Sequence, residues 1–280
     1  MAWRLAPSPM PEPSAPAASE LETLFRIANA VHSAFRAAMG SPEPSRNVAM
    51  GASGFPTAVV DRVAEAQVLA TLEQERRPWN VLSEEIGYID RGGKDVLVVD
   101  PVDGSHNALH GIPCVSVSLA LGRERLSGIR AGVVQDLYTG RTYWATRGGG
   151  AFLEGVRLRT RPRRSGHELV LMNLGAHSAG RLREQTSRFR RVRALGCASL
   201  EMALVAEGAA DAYLSDNVPA SLNLRVTDIA AGCLLVGEAG GGVEKWGEGP
   251  LDAPLDIRER VPVLAWGDHG FADELNAGGR

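Results

Sequence analysis

A layered α/β fold is predicted for this chain by three observations. Helical and strand periodicities alternate along its length, an apolar strand run ends on a carboxylate, and the central stretch reads entirely as short strands. The 280 residues suit one large domain or two closely packed subdomains. Apolar residues at 44% and charged residues at 22% are ordinary globular usage, with enough apolar material for a sizeable core.

Taken in order, Met1 to Ala18 carries five prolines and no continuous apolar run, and is read as a disordered tail rather than a signal peptide. Ser19-Glu20-Leu21-Glu22 has the capping-box pattern, and Leu21, Leu24, Phe25, Ala28, Val31 and Phe35 then follow at helical spacing down to Gly40. Residues 41–55 are rich in Gly, Pro and Ser and read as a loop. A second helix is expected from Thr57 to Glu75, with Asp61 in its first turn. Trp79 to Leu82 is a short apolar run ending at Ser83-Glu84-Glu85. Val96 to Val99 reads as a buried strand ending at Asp100-Pro101.

Val115 to Leu153 alternates apolar and small residues between glycine-containing turns, the pattern of an antiparallel meander. The basic stretch Arg157 to Arg164 is read as a solvated linker between an N-terminal subdomain, 19–160, and a C-terminal one, 161–280. The second half is expected to run strand 169–172, helix 179–189, strand 192–195, helix 199–207 and strand 212–214. A loop to Arg225, a helix from Asp228 to Ala239 and a strand near 243–246 complete it.

The near balance of 30 Lys+Arg against 33 Asp+Glu, net −3, leaves no electrostatic footprint for nucleic acid or an anionic membrane. No apolar run approaches the ~20 residues of a membrane span. Cys114, Cys197 and Cys233 have no metal-ligand spacing, so they read as core residues of a protein in a reducing, cytoplasmic setting.

The chemistry is concentrated in Val99-Asp100-Pro101-Val102-Asp103-Gly104-Ser105. A strand delivers Asp100 at its end, Pro101 fixes a bend, and Gly104-Ser105 can open a helical turn with free N–H groups. Two carboxylates this close raise one another's pKa unless a cation separates them, and magnesium prefers such oxygen ligands. Asp-Pro and Asp-Gly are also ordinary turn pairs, so the two aspartates alone do not settle a metal site. Glu84-Glu85, Asp61 and Asp228 add carboxylates in comparable contexts. His106 and His110 flank the segment and read as bystanders, because magnesium favours oxygen.

The run from Asp100 through Gly104-Ser105-His106-Asn107 to Pro113 resembles the first signature of the inositol monophosphatase superfamily. Thr227-Asp228-Ile229-Ala230-Ala231-Gly232 resembles the second, and Ser83-Glu84-Glu85 the upstream glutamate motif. The likeness is greatest to the archaeal-type branch, which combines fructose-1,6-bisphosphatase and inositol monophosphatase activities. Ser83-Glu84-Glu85-Ile86-Gly87, the Arg193 to Glu201 run and Arg225 carry it.

The resemblance implies an αβαβα sandwich of the sugar-phosphatase type, a homodimer, and a small-molecule phosphate substrate. It implies two or three Mg2+ ions, with Mn2+ a substitute, held by Glu84, Glu85, Asp100, Asp103, Asp228 and the Val102 carbonyl. Asp61 and Ser105 would orient or deprotonate the attacking water, with Glu84 assisting. The amides of Gly104 and Ser105 would hold phosphate, Asp103 and Ala198 would touch substrate, and Arg193 and Arg225 would take a second phosphate or sugar hydroxyls. A 3′-phosphoadenosine nucleotide phosphatase and a catalytically silent regulatory relative are the alternatives. Ala108 stands where the family usually has an aromatic residue, and Ser215 to Leu224 is longer than in relatives.

Overall fold

The apolar run Val96–Val99 lies at the heart of the larger of two sheets. The structure, a computed structural model, describes residues 15–40, 47–50 and 56–277. Readings that fall on residues 1–14, 41–46 and 51–55 lie outside the described residues.

Helix α1 (Ala15–Met39) begins ahead of Ser19, which the capping-box pattern predicts as its cap. Ser19 is instead inside the helix, its carbonyl accepting from the Thr23 hydroxyl and from Arg77 Nη2. The alanines before it extend the helix at little cost, and Pro16 is tolerated in a first turn. The last residues of the expected tail are therefore helical. The expected loop also contains a strand, β1 (Asn47–Met50), paired antiparallel with β2 (Pro56–Ala58).

Helix α2 (Val59–Gln74) follows, then β3 (Asn80–Ser83), β4 (Gly87–Ile89), β5 (Val96–Asp103) and the short α3 (Ser105–Leu109). The expected meander is β6 (Ser116–Gly122), β7 (Ala131–Asp136), β8 (Thr142–Thr146), β9 (Gly150–Leu153) and β10 (Val156–Arg157). These strands form one sheet in the order β10-β9-β8-β7-β6-β5-β3-β4, with β3 and β5 parallel and the other neighbours antiparallel.

The second half runs β11 (Val170–Met172), α4 (Gly180–Arg188), β12 (Val192–Arg193), α5 (Ala198–Ala206), β13 (Ala212–Ser215), β14 (Leu224–Arg225) and α6 (Val226–Glu238). It ends with β15 (Gly242–Lys245), β16 (Gly249–Pro250), β17 (Arg260–Val261), β18 (Val263–Trp266) and α7 (His269–Ala277). The second sheet has the order β12-β11-β13-β18-β15-β16, and β14 pairs separately with β17. Strand β18, which the sequence reading lacks, sits in the middle of this sheet between β13 and β15.

Strand alternation sorts the core into layers. Leu97 and Val99 face α1 and α2 in one cluster with Leu24, Ile27, Val60 and Ala64. Val96 and Val98 face the opposite way, into a cluster with Met202, Val205, Ile229 and Leu235 of α5 and α6. That cluster continues to Leu171, Tyr213 and Ala265 on the near face of the second sheet. Val170, Leu214 and Leu264 on its far face meet Leu182 of α4 and Phe271 and Leu275 of α7. The order is helix, sheet, helix, sheet, helix, which is the αβαβα sandwich the resemblance implies. Close approach fixes the middle layer: a Cβ at Gly132 of β7 would lie 3.3 Å from the Ala231 Cα of α6.

Candidate active site

Two neighbouring strand ends place the first acidic residues. β3 and β5 run parallel with Ser83 beside Val99, and the Glu84 N–H still donates to the Val99 carbonyl at 3.3 Å. Glu84 and Asp100 therefore stand side by side just past the last β3–β5 pair, where open α/β sheets form their crevices. On its other edge β5 pairs with β6, Asp100 opposite Ser118 and Asp103 opposite Ser116. That register is a bulge, and Pro101, with no N–H for the ladder, sits inside it. A regular strand would point Asp100 and Asp103 to opposite faces; the extra residue lets both serve one site.

The C-terminal half closes over these strand ends. Asp228 is in the first turn of α6, where the helix dipole favours an anion. Its Oδ2 accepts the Arg225 N–H and its Oδ1 the Thr227 hydroxyl, each at 2.9 Å. One oxygen from each of Glu84, Asp100 and Asp228 lies within 4.8 Å of the others. Asp103 instead turns to α5, where its Oδ2 accepts from Ser199 N at 2.7 Å and Ser199 Oγ at 2.6 Å.

Burial and crowding set the electrostatics. Glu84 is pushed up to about 8 by burial and then by the Asp228 charge. Burial, then Glu84 and Asp103, hold Asp100 well above the ordinary carboxylate range. Asp228 is raised by burial against the pull of Arg225, and Asp103 is pushed up to about 6 by burial against the hydrogen bonds from Ser199. Three carboxylates this close, two buried and one half-buried, cannot all ionise without a cation among them. The donors are all oxygen, which fits a hard divalent ion such as magnesium.

A second acidic group adjoins the first. Asp61 and Glu65, one turn apart on α2, are 4% and 6% exposed. Asp61 Oδ2 accepts the Ala58 N–H at 2.9 Å, and Glu65 Oε1 accepts the Ser83 hydroxyl. Burial, with the nearby Glu85 charge, pushes each up to about 7.

The other predicted residues are distributed as follows. Gly104 caps α3 with φ +84°, and a Cβ there would lie 2.8 Å from the Cys114 carbonyl oxygen. Ser105 is the first residue of α3; among the described residues no hydrogen bond joins it to Asp61. Val102 is buried and donates its N–H to Asp100 Oδ1 at 3.1 Å. Ala198 opens α5 and is buried. Arg225 Nη1 donates to Glu84 Oε1 at 2.7 Å, which turns its charge onto the carboxylate cluster. Arg193 is exposed on the edge strand β12, its Nη1 donating to the Val192 carbonyl. His106 and His110 lie against each other with centroids 4.4 Å apart and ring planes at 45°, outside the cluster.

Sequence reasoning missed Glu65, Ser116, Ser199 and Arg260. Glu65 carried a usable signal, its i+4 spacing from Asp61. Arg260 lies directly across the β14–β17 pair from Arg225, a long-range pairing that no local pattern announces.

The five-layer fold and the oxygen-only cluster at its strand ends, together with relatives named as phosphatases, make this a phosphoric monoester hydrolase of a metal-dependent kind. The chain belongs to the inositol monophosphatase family, whose model matches residues 17–275. A relative from Methanothermobacter thermautotrophicus, named fructose-1,6-bisphosphatase/inositol-1-monophosphatase, is 36% identical over 259 residues, 87% of this chain and 90% of that protein. A bifunctional NADP phosphatase/NAD kinase of Methanococcus maripaludis is 32% identical, over 87% of this chain and 46% of the larger protein. Among solved structures, a Pyrococcus horikoshii protein described as similar to inositol-1 monophosphatase superposes with TM-score 0.81. It is 27% identical and matched over 94% of this chain and 98% of that one.

Proposed function

We propose that this enzyme hydrolyses small sugar or polyol phosphates, with fructose 1,6-bisphosphate and inositol 1-phosphate as substrates, and uses magnesium to do so. The observation that carries this reading is the triad of half-buried Glu84 and buried Asp100 and Asp228, with oxygens within 4.8 Å. The name of the Methanothermobacter relative supports the two substrates.

Glu84, Asp100, Asp103 and Asp228, with the Val102 carbonyl and Glu85, are the residues that would hold two or three Mg2+ ions, or Mn2+ in their place. Bound there, the cations offset phosphate charge and acidify water. Gly104 and Ser105 orient the phosphate through their amides. Asp61, whose carboxyl is pushed up to about 7, accepts the proton of the attacking water, with Ser105 fixing that water's orientation. Ala198 lines the sugar side, and Arg225 and Arg193 are the cations proposed for a second phosphate or sugar hydroxyls. The metal loop comes from the unit 19–160 and Asp228 from the unit 161–280, so the subdomains complete one site between them. The working form is a cytoplasmic homodimer.

Phosphate release from both substrates, with magnesium and with a chelator, tests the proposal. Magnesium-dependent turnover of both is expected, and turnover that persists in the chelator sinks the metal assignment. A second reading, a phosphatase of phosphorylated adenosine nucleotides, rests on the relative named for NADP phosphatase activity. It predicts faster release from NADP or 3′-phosphoadenosine 5′-phosphate than from either sugar phosphate.

A further inference from the structure

We propose that Ser199, backed by Ser116, is a positioning residue that fixes Asp103 for the cation. The inference rests on the metal reading above.

Asp103 Oδ2 is saturated. It accepts from Ser199 N at 2.7 Å, from Ser199 Oγ at 2.6 Å and from Cys197 Sγ at 3.4 Å. Among the described residues Oδ1 has no hydrogen-bond partner, which leaves it for an ion or a substrate hydroxyl. Ser199 Oγ also lies 2.6 Å from Ser116 Oγ, and both serines are fully buried.

The proton directions follow from the donor inventory. An ionised carboxylate only accepts, so the Ser199 hydroxyl donates to Oδ2 and uses its lone pairs for the Ser116 hydroxyl. Ser116 is the cross-strand partner of Asp103 on β6, and Ser199 is in the first turn of α5. The carboxylate is thereby held directly by the first turn of α5, and the hydroxyl that holds it is braced in turn by Ser116 of the carboxylate's own sheet. A carboxylate pinned at one oxygen presents the other without losing rotamer freedom on binding, and such supporting hydrogen bonds set metal affinity.

Magnesium binding to the full chain, followed by isothermal titration calorimetry without substrate, tests this. Ser199→Ala keeps the N–H contact and removes only the hydroxyl. It is expected to weaken magnesium by about tenfold, with Ser116→Ala weakening it by a smaller factor. Combined with Asp103→Asn, Ser199→Ala should add nothing further, which a merely structural role would not produce. Unchanged affinity in Ser199→Ala, or the same loss in the Asp103→Asn background, overturns the proposal. Circular dichroism confirms folding; if Ser199→Ala does not fold, unchanged affinity in Ser116→Ala overturns it instead. A flat wild-type isotherm removes the cation reading itself, whereas wild-type binding with an unmoved Ser199→Ala removes this inference alone.

Discussion

Arg225 and Glu84 are joined across 141 residues of sequence by a 2.7 Å ion pair at the rim of the carboxylate cluster. Their side chains retain only 11% and 19% of their exposure. Losing one partner of so enclosed a pair leaves an uncompensated charge beside Asp228 and Asp100. Arg225→Ala is therefore expected to lower stability by about 3 kcal/mol in a chelator at about pH 9, above the value of about 8 to which Glu84 is pushed, with magnesium recovering part of the loss. Urea unfolding with and without magnesium measures both. A variant as stable as wild type in the chelator contradicts this role for the pair.

The acidic cluster also sets a pH dependence of stability. Asp61 and Glu65 titrate near 7, Glu84 near 8 and Asp103 near 6, all above their ordinary values of 3.8 to 4.5. Between about pH 4 and 8 the folded chain therefore holds protons that the unfolded chain has released. The stabilising contribution is complete below that window and is lost as pH rises through it. Without magnesium, the melting temperature should fall from pH 5 to pH 8. Magnesium favours the ionised forms, so its stabilising shift should be larger at pH 8 than at pH 5. Thermal melts at both values, with chelator and with saturating magnesium, decide it; a magnesium shift larger at pH 5 would reverse the sign.

Much of this was legible because it is local. The Val96–Val99 run is apolar on both faces since helices cover both, and its end at Asp100-Pro101 marks the site. The meander from Ser116 to Leu153 announces itself by alternation and glycine turns. Strand β18 did not, because Val263–Trp266 is short and gains its place only by pairing with β13 and β15. Ser199 and Arg260 were invisible for the same reason: Asp103 and Arg225, which give them meaning, are distant in sequence. The capping-box pattern at Ser19 misplaced the helix start because alanines upstream continue the helix.

Asp100→Asn separates charge from shape. The asparagine carbonyl can still accept the Val102 N–H that Asp100 Oδ1 accepts at 3.1 Å. The amide replaces a carboxyl that the folded, magnesium-free chain keeps protonated against solution pH, so the magnesium-free variant should melt higher at pH 8, by about 2–4 °C for each kcal/mol of that cost relieved. Phosphate release should fall by about a thousandfold or more, the scale on which a lost catalytic charge acts. Activity and stability move in opposite directions here, as expected where function requires like charges to be held together. A variant that loses both would show that Asp100 is needed for the fold.

Gly104 is the backbone position on which the loop's geometry turns. Its φ of +84° lies in the left-handed region, and a Cβ would meet the Cys114 carbonyl at 2.8 Å and the Cys197 Cβ at 3.2 Å. The same enclosure is held by Asn107 Nδ2, which donates to the Cys114 carbonyl at 2.9 Å and the Leu195 carbonyl at 2.7 Å. Neither wall can retreat without breaking that staple between the two halves. Gly104→Ala is expected to cost about 2–4 kcal/mol through strain and displaced backbone, and to abolish phosphate release even where the chain still folds. Asn107→Ala should lose less stability, because it removes the staple and leaves Gly104 unstrained. Chemical denaturation of the two variants ranks them, and a Gly104→Ala protein with wild-type stability and turnover would show that the left-handed turn is dispensable.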